Sequence, residues 1–245
     1  EADLNTGRVE LAGTGPNSEA LLVFGGNPGP GLFTKTENFD GTTWAEVADL
    51  STARQNMSGH IGTTSEALAA GGHDASDRTG ATEEWTTTPT ALFQKLVEGQ
   101  LFFNSTTNAF KETLKDFVAG TWSSANGLNN GRTGVSGARN TPGHGTGLAM
   151  AGFTTPPLTA RGYTEEYDGT SWSEETDANQ SRGQTSGTGT SSTAGLLYGG
   201  ETYPSPANVT STETWNGSSW TEVNELNVAG RGMGNCGTTT AALAI

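Results

Sequence analysis

Four copies of one sequence pattern follow one another along this chain of 245 residues. Each copy starts with an arginine and has a glycine five residues later. It continues through a short apolar run that ends in glycine, and closes with a Thr-Glu-x-aromatic stretch and a tryptophan. Copies without an insertion start 46 to 50 residues apart, a period typical of repeat architectures. A fifth copy starts at residue 231. The recurring side chains are Arg8, Arg54, Arg132, Arg182 and Arg231; Glu37, Glu83, Glu165 and Glu213; and Trp44, Trp122, Trp172 and Trp220.

The apolar runs predict that each repeat contains short buried strands. Runs of three or four apolar residues that glycine ends are typical of strands and not of helices. They occupy residues 21–24, 68–70, 148–151 and 196–198, and we expect them to be the inner strands. In the third copy we expect Phe153 to replace the second glycine of the pair. That copy is therefore predicted to be the least regular.

A tight turn separates the last two strands of most repeats. Asp-Gly at residues 40–41 and 168–169, and Asn-Gly at residues 216–217, are strong hairpin signals. The pattern therefore predicts four short strands per repeat, which is the organisation of the radial sheets, or blades, of an all-β propeller. The register at both ends of the chain further predicts a fragment of a longer protein, with one incomplete blade.

Composition excludes several classes of partner. The formal net charge is −14, whereas nucleic-acid binding requires clustered lysine and arginine. No apolar run approaches the 18 residues that a membrane span needs. Cys236 is the only cysteine, which excludes an internal disulfide framework, and we expect it to pack as a small apolar side chain. Neither nucleic acid nor membrane insertion is therefore expected.

The second repeat carries an insertion, residues 86–118, in place of the tight turn. The predicted propeller therefore comprises residues 1–85 and 119–245. Segment 99–111 of the insertion predicts a β-hairpin, because two aromatic-rich arms flank a Ser-Thr-Thr-Asn turn. So many aromatic side chains are unfavourable in water, so they are expected to contact another subunit or a host surface, or alternatively to fold back on their own blade. The candidate interaction residues are Leu101, Phe102, Phe103, Phe110 and Phe117.

The recurring charged and aromatic side chains admit two interpretations. The arginines and glutamates form either a ring of ligands or a set of buried bridges, Arg–Glu or Arg–backbone, between strands. Recurrence in every repeat favours the structural interpretation, because equivalent residues then have the same structural role in each blade. The recurring tryptophans are likewise expected to pack in equivalent positions between blades.

No catalytic, cofactor-binding or metal-binding motif stands out from the repeats. His60, His73 and His144 lack the spacing of zinc ligands and are expected to be exposed in loops. Asp74 and Asp77 lie near His73 without a twelve-residue calcium loop, so solvated acids are expected there. Neither a nucleophile elbow nor a Walker loop occurs. We therefore expect no catalytic residue, no cofactor and no metal.

The arginine before each apolar run, the glycine pair and the aromatic–tryptophan pair resemble the kelch repeat of β-propellers. The spacing from the aromatic residue to the tryptophan is shorter than the usual kelch spacing. A closer resemblance is to kelch-like repeat proteins of marine bacteriophages, in residues 48–54 and 163–172. Residues 99–111 are similar to a hairpin module of phage tail-fibre and structural proteins.

This resemblance implies a non-enzymatic virion structural protein, a tail-fibre or surface propeller at the phage particle surface or tail. Its implied partners are other virion proteins or copies of itself, with host-cell surface glycans as further candidates. One alternative is a carbohydrate-active propeller enzyme, which requires paired carboxylates in one cleft. Another is a cellular kelch-type scaffold that binds proteins through its loops.

Overall fold

A computed structural model describes residues 2–59, 61–87, 101–104, 109–112, 120–138 and 145–244. These residues form antiparallel β-sheets joined by turns and loops, and none of them is helical. Accordingly, this part of the chain contains no apolar helix long enough to cross a membrane.

Four sheets follow one another along the chain as the blades of a propeller. Blade one consists of β1 (Ala12–Asn17), β2 (Ala20–Phe24), β3 (Thr36–Phe39) and β4 (Trp44–Val47). Blade two contains β5 (Glu66–Ala70) and β6 (Thr82–Thr87), then a separate hairpin of β7 (Leu101–Asn104) and β8 (Ala109–Glu112), and then β9 (Gly120–Ala125). Blade three consists of β10 (Ser136–Ala138), β11 (Gly147–Thr154), β12 (Thr159–Tyr167) and β13 (Trp172–Glu174).

Blade four completes the set and is followed by one further hairpin. Its sheet consists of β14 (Ser186–Ser191), β15 (Ala194–Tyr198), β18 (Thr212–Trp215) and β19 (Trp220–Glu222), with the small hairpin of β16 (Glu201–Thr202) and β17 (Ala207–Asn208) between its second and third strands. The two strands β20 (Asn235–Gly237) and β21 (Ala242–Ala244) then pair in the register of a fifth repeat. The predicted all-β propeller of four-stranded blades is confirmed.

Blade two departs from the regular pattern in two ways. Its first position is filled by an irregular segment, in which the amide of Ser58 donates to Ala70 and Gly62 forms a bridge with Ala67. Its outer turn is replaced by the insertion, and β7 pairs with β8 from Leu101–Glu112 to Asn104–Ala109. The hairpin predicted in the insertion is therefore confirmed.

The first strand of each blade is the innermost, because the first strands of successive blades meet there. A Cβ atom added to Gly137 would lie 2.2 Å from the carbonyl oxygen of Gly59, and one added to Gly59 would lie 3.0 Å from that of Gly13. Close backbone approach thus requires glycine at positions 59 and 137. In blades one, three and four the apolar runs lie second in the sheet, one strand farther out than predicted, since the crowded centre admits glycine and small polar residues instead. In blade two the run is the first strand of a three-stranded sheet and follows the irregular segment.

The glycine pair ends each second strand in the left-handed region of backbone space. In blade three this pair is Ala151 and Gly152, with φ values of 57° and 125°. The amide of Gly152 donates to the carbonyl of Arg182, as the second glycine of the other blades does to the next repeat. The sequence suggested that Phe153 replaces the second glycine, and this prediction is wrong. Ala151 replaces the first, in a conformation that alanine adopts at some cost.

The predicted tight turns are present at the outer edge of three blades. Asp40 accepts hydrogen bonds from the amides of Thr42 and Thr43 through Oδ1. Asp168 and Asn216 repeat this arrangement in blades three and four. The glycine that follows each of them has a φ of 92° to 94°. Local side-chain chemistry therefore determines these turns.

The core consists of layers between successive blades. Blade one and blade two enclose a cluster that includes Leu22, Phe24 and Trp85. Equivalent clusters lie between blades two and three and between blades three and four. Blades two and three thus bury both of their faces against neighbouring blades, while their edges and loops remain available for other roles.

Candidate functional site: the loop face

Each of the four blades buries an arginine against the glutamate of its own third strand. Three of the pairs have N–O distances of 2.7 to 3.0 Å, and all eight side chains are at most 4% exposed. Desolvation by burial lowers the pKa of the arginines in blades one, two and four, although the neighbouring glutamates oppose the shift. Side chains this buried are not accessible to a ligand. The pairs are Arg8–Glu37, Arg54–Glu83, Arg132–Glu165 and Arg182–Glu213.

The sequence analysis missed a further residue that binds the glutamate of each Arg–Glu pair. The other carboxylate oxygen of each glutamate accepts the backbone N–H of the residue three positions before the arginine. That residue is asparagine in three blades, and its side chain also donates to the carbonyl of the outer tryptophan. The signal in the sequence was the recurring Asn/Ser-x-x-Arg. The residues are Asn5, Ser51, Asn129 and Asn179.

Arg231 differs from the other four arginines. It pairs with Glu201 of blade four, and its side chain is 47% exposed. The structural position of the other arginines is therefore not reproduced in the fifth repeat.

Three of the four recurring tryptophans join neighbouring blades in the same way. The indole Nε1 of each donates to the threonine hydroxyl that begins the Thr-Glu stretch of the preceding blade, at 3.0 to 3.2 Å. Trp44 lies in blade one, is half-buried, and donates to the carbonyl of Ala2 instead. The equivalent pairs are Trp122–Thr36, Trp172–Thr82 and Trp220–Thr164.

A chain of backbone hydrogen bonds joins the repeats at one end of the propeller. The residue two positions after the arginine in the first four repeats, and Gly232 directly after Arg231 in the fifth, has a φ of 48° to 64°. Its amide donates to the carbonyl of the corresponding residue in the preceding repeat, at 2.8 to 3.1 Å. We call this end, with the adjoining connections between second and third strands, the loop face. The residues in the chain are Glu10, Asn56, Gly134, Gln184 and Gly232.

The loop face contains a cleft of about 360 Å³ between blades two, three and four. Blade two contributes His73 and Arg78, which form a backbone bridge around a turn. Thr133 and Phe153 of blade three, which pair through both backbone groups, form another wall. The rest of the lining comes mainly from the loops of the second and fourth repeats: Gln55, Asn56, Gln184, Glu201 and Tyr203.

Three residues that line this cleft each have a buried polar atom without a hydrogen-bond partner in the described part of the chain. These atoms are Nδ1 of His73, Nε of Arg78 and Oγ1 of Thr133. Buried polar groups are nearly always paired in folded proteins. Three unpaired ones around a single cleft therefore mark it as the candidate binding site.

His73 is half-buried in this cleft, so the prediction that it is simply an exposed loop residue is wrong. Its backbone N–H and C=O both pair with Gln55. Asp74 and Asp77 shape the adjacent turn: Asp74 Oδ1 accepts the amides of Ser76 and Asp77, and these bonds lower its pKa. No cluster of three or more potential metal ligands occurs within the described ranges.

Several sequence-predicted residues lie outside what the structure describes. His60, His144 and Phe117 belong to undescribed positions, as does the four-residue connection between β7 and β8. Of the candidate interaction residues Leu101, Phe102, Phe103 and Phe110, only the backbone pairing is described, and the same holds for Cys236. Their predicted roles stay predictions.

A second, larger cleft of about 1070 Å³ runs along the centre of the propeller. Its walls are the innermost segments of the repeats, rich in glycine, serine and threonine, and it reaches Arg231 and Gly237. Several of the hydroxyls there are engaged between repeats, for example Ser186 with the carbonyl of Met233 and Thr188 with that of Gly237. These polar side chains serve the packing of the repeats.

Comparison with known proteins defines the fold and goes no further. No protein-family model matches the chain, and no curated protein is similar to it in sequence. Among solved structures, 158 chains are similar. One of them, described as the structure of YjhT, has 12% sequence identity and a TM-score of 0.67, over 97% of this chain and 76% of that one. At this identity the similarity supports a propeller fold only.

Proposed function

We propose that this protein is a non-enzymatic virion propeller that recognises glycans on a host surface with the cleft of its loop face. The observation that supports glycan binding is the cleft itself, with its unpaired polar atoms beside aromatic side chains. The virion context is supported by the resemblance of the repeats and of the inserted hairpin to phage structural proteins. Fold alone does not support either part.

The lining of the cleft suits a saccharide. Small-ligand sites combine apolar walls with a few polar groups that fix orientation. Half-buried Tyr203 and the mostly buried ring of Phe153 contribute aromatic groups, while Gln55, Asn56 and Gln184 contribute amide side chains to the same cleft. Amides both donate and accept hydrogen bonds, as the hydroxyl groups of sugars do. The combination therefore favours recognition of a hydroxylated, partly apolar ring.

The charges in the cleft favour binding over hydrolysis. A glycosidase needs two carboxyl groups on opposite sides of the scissile bond, about 5 to 9.5 Å apart. Glu201 is the one acidic residue among the described residues that line the cleft, and it already forms an ion pair with Arg231. The deeply buried glutamates of the repeats are bound to their own arginines. The enzyme alternative therefore has less support than a binding role.

A binding titration with oligosaccharides from the host surface tests the proposal. The parent protein is expected to bind, and Tyr203→Ala is expected to weaken binding at least tenfold. Tyr163→Ala is the matched control, because Tyr163 is also half-buried in a neighbouring part of the propeller but does not line the cleft. Release of new reducing ends by the parent protein would support the enzyme alternative. Equal binding by the two variants would show that the binding site does not include Tyr203.

A further inference from the structure

We infer that the loop-face cleft binds an oxyanion group of its glycan, a carboxylate or a sulfate ester, through Arg78, His73 and Thr133. The inference rests on the proposed glycan binding and specifies its ligand class. Its basis is the coincidence of two independent observations. The residues with unpaired polar atoms in the described chain include three that line one cleft.

Arg78 is held in position while one edge of its guanidinium stays unused. Its backbone pairs with His73, and Asp77 accepts its amide N–H at 2.8 Å. Nη1 lies 3.5 Å from Asp77 Oδ1, and the side chain is 22% exposed. Nε is buried, and no hydrogen-bond acceptor for it occurs in the residues that the structure describes. Arginine is always charged and always a donor, so this Nε–H is a donor that the described residues leave unsatisfied.

Thr133, a residue with a hydroxyl group, contributes to the lining of the cleft from blade three. It is 8% exposed, and its backbone N–H and C=O are both paired with Phe153. Only its Oγ1 remains without a partner in the part of the chain described. A hydroxyl on one blade and a guanidinium with an imidazole on the next can donate to different oxygens of one anion. Hydrogen bonds of this kind to a charged acceptor are the strong ones.

The acidic groups nearby are already occupied. Glu201 lines the cleft and is paired with Arg231. Asp77 accepts from the hydroxyl of Thr155 at 2.8 Å and from the Arg78 amide, and these hydrogen bonds lower its pKa. An anionic ligand therefore meets positive and donor groups at short range, although the whole chain carries a formal charge of −14.

Calorimetric titration with three forms of one oligosaccharide tests the inference. The probes are a hexuronic-acid oligosaccharide, its carboxyl-reduced neutral counterpart, and the neutral counterpart bearing sulfate esters. We expect at least one charged form to bind about tenfold or more tightly than the neutral form, because charge-assisted hydrogen bonds add this much. The relative affinity of the two charged forms identifies the oxyanion.

Variants then assign the preference to residues. Arg78→Gln is expected to remove it, and Thr133→Val to reduce it several-fold without changing the shape of the side chain. Arg161→Gln is the matched control, because Arg161 carries the same charge on blade three but does not line the cleft. Circular dichroism verifies that each variant is folded. If Arg78→Gln does not fold, Thr133→Val still provides an independent result.

The outcomes separate the two proposals. Equal binding of the neutral and charged forms overturns the oxyanion inference and leaves glycan binding in place. The same holds if Arg78→Gln and Arg161→Gln keep the same preference as the parent. Absence of binding to all three forms by the folded parent overturns the proposed function and the oxyanion inference with it.

Discussion

Replacement of Glu165 by glutamine tests whether the recurring Arg–Glu pairs hold the blades together. Glu165 is completely buried and accepts from Arg132 Nη1 and from the amide of Asn129. Arg132 is equally buried and also donates through Nε to the carbonyl of Ala151 at 2.9 Å. Glutamine keeps the shape and one acceptor but removes the charge. It therefore leaves a buried guanidinium without its counter-ion.

The expected loss in free energy of unfolding follows from this geometry. Removing one partner of a buried ion pair costs about 3–5 kcal/mol. Since glutamine can still accept the Asn129 amide, we expect about 3 kcal/mol. With an m-value of about 3 kcal/mol/M, typical of larger domains in urea, the unfolding midpoint falls by about 1 M. For the exposed pair Lys35–Glu46, whose side chains are 33% and 51% exposed, Glu46→Gln is expected to cost about 0–1 kcal/mol.

Urea unfolding followed by tryptophan fluorescence measures both variants against the parent. A double variant, Arg132→Met with Glu165→Leu, adds a second test, because apolar residues of similar size can replace a buried pair with little loss. It is expected to be more stable than Glu165→Gln alone. The structural reasoning is refuted if Glu165→Gln lowers the midpoint no more than Glu46→Gln. Glycan binding by folded Glu165→Gln is expected to equal that of the parent.

Three further predictions concern the packing of the blades and the insertion. Trp220→Ala is expected to lose about 3–5 kcal/mol of unfolding free energy, and Trp44→Ala clearly less, because Trp44 is half-buried; equal losses in urea titrations would contradict the inter-blade contact. Gly137→Ala is expected to lose about 1–3 kcal/mol by overpacking, whereas Gly7→Ala, where a Cβ meets nothing within 4 Å, should unfold like the parent. Similar melting of both variants would argue against close approach at the centre. Deletion of residues 87–119, with the ends joined by Asp-Gly, should leave a folded propeller that assembles poorly into particles and adheres weakly to host cells. Normal assembly and adhesion would show that the insertion has no interaction role.

The repeat pattern and local chemistry allowed much of the fold to be predicted. Strand-length apolar runs, the glycine pairs and the Asp-Gly turns act within a few residues, so their consequences can be read without knowledge of the neighbours. The hairpin in the insertion was found for the same reason. The strand order was not predicted, because the innermost segments around Gly13 and Gly137 are glycine-rich and lack an apolar signal.

The sequence by itself determined which residues recur, and hence the repeat and the residues that form its buried pairs. Only the tertiary structure decided where the candidate site lies. His73 and Arg78 come from the second repeat and Thr133 from the third, and none of them recurs in the pattern. They meet because the blade-to-blade hydrogen bonds of Asn56, Gly134 and Gln184 bring three unlike loops to one end of the propeller. A binding cleft formed by the non-repeating part of each repeat leaves no periodic signal, since its geometry depends on how the blades pack.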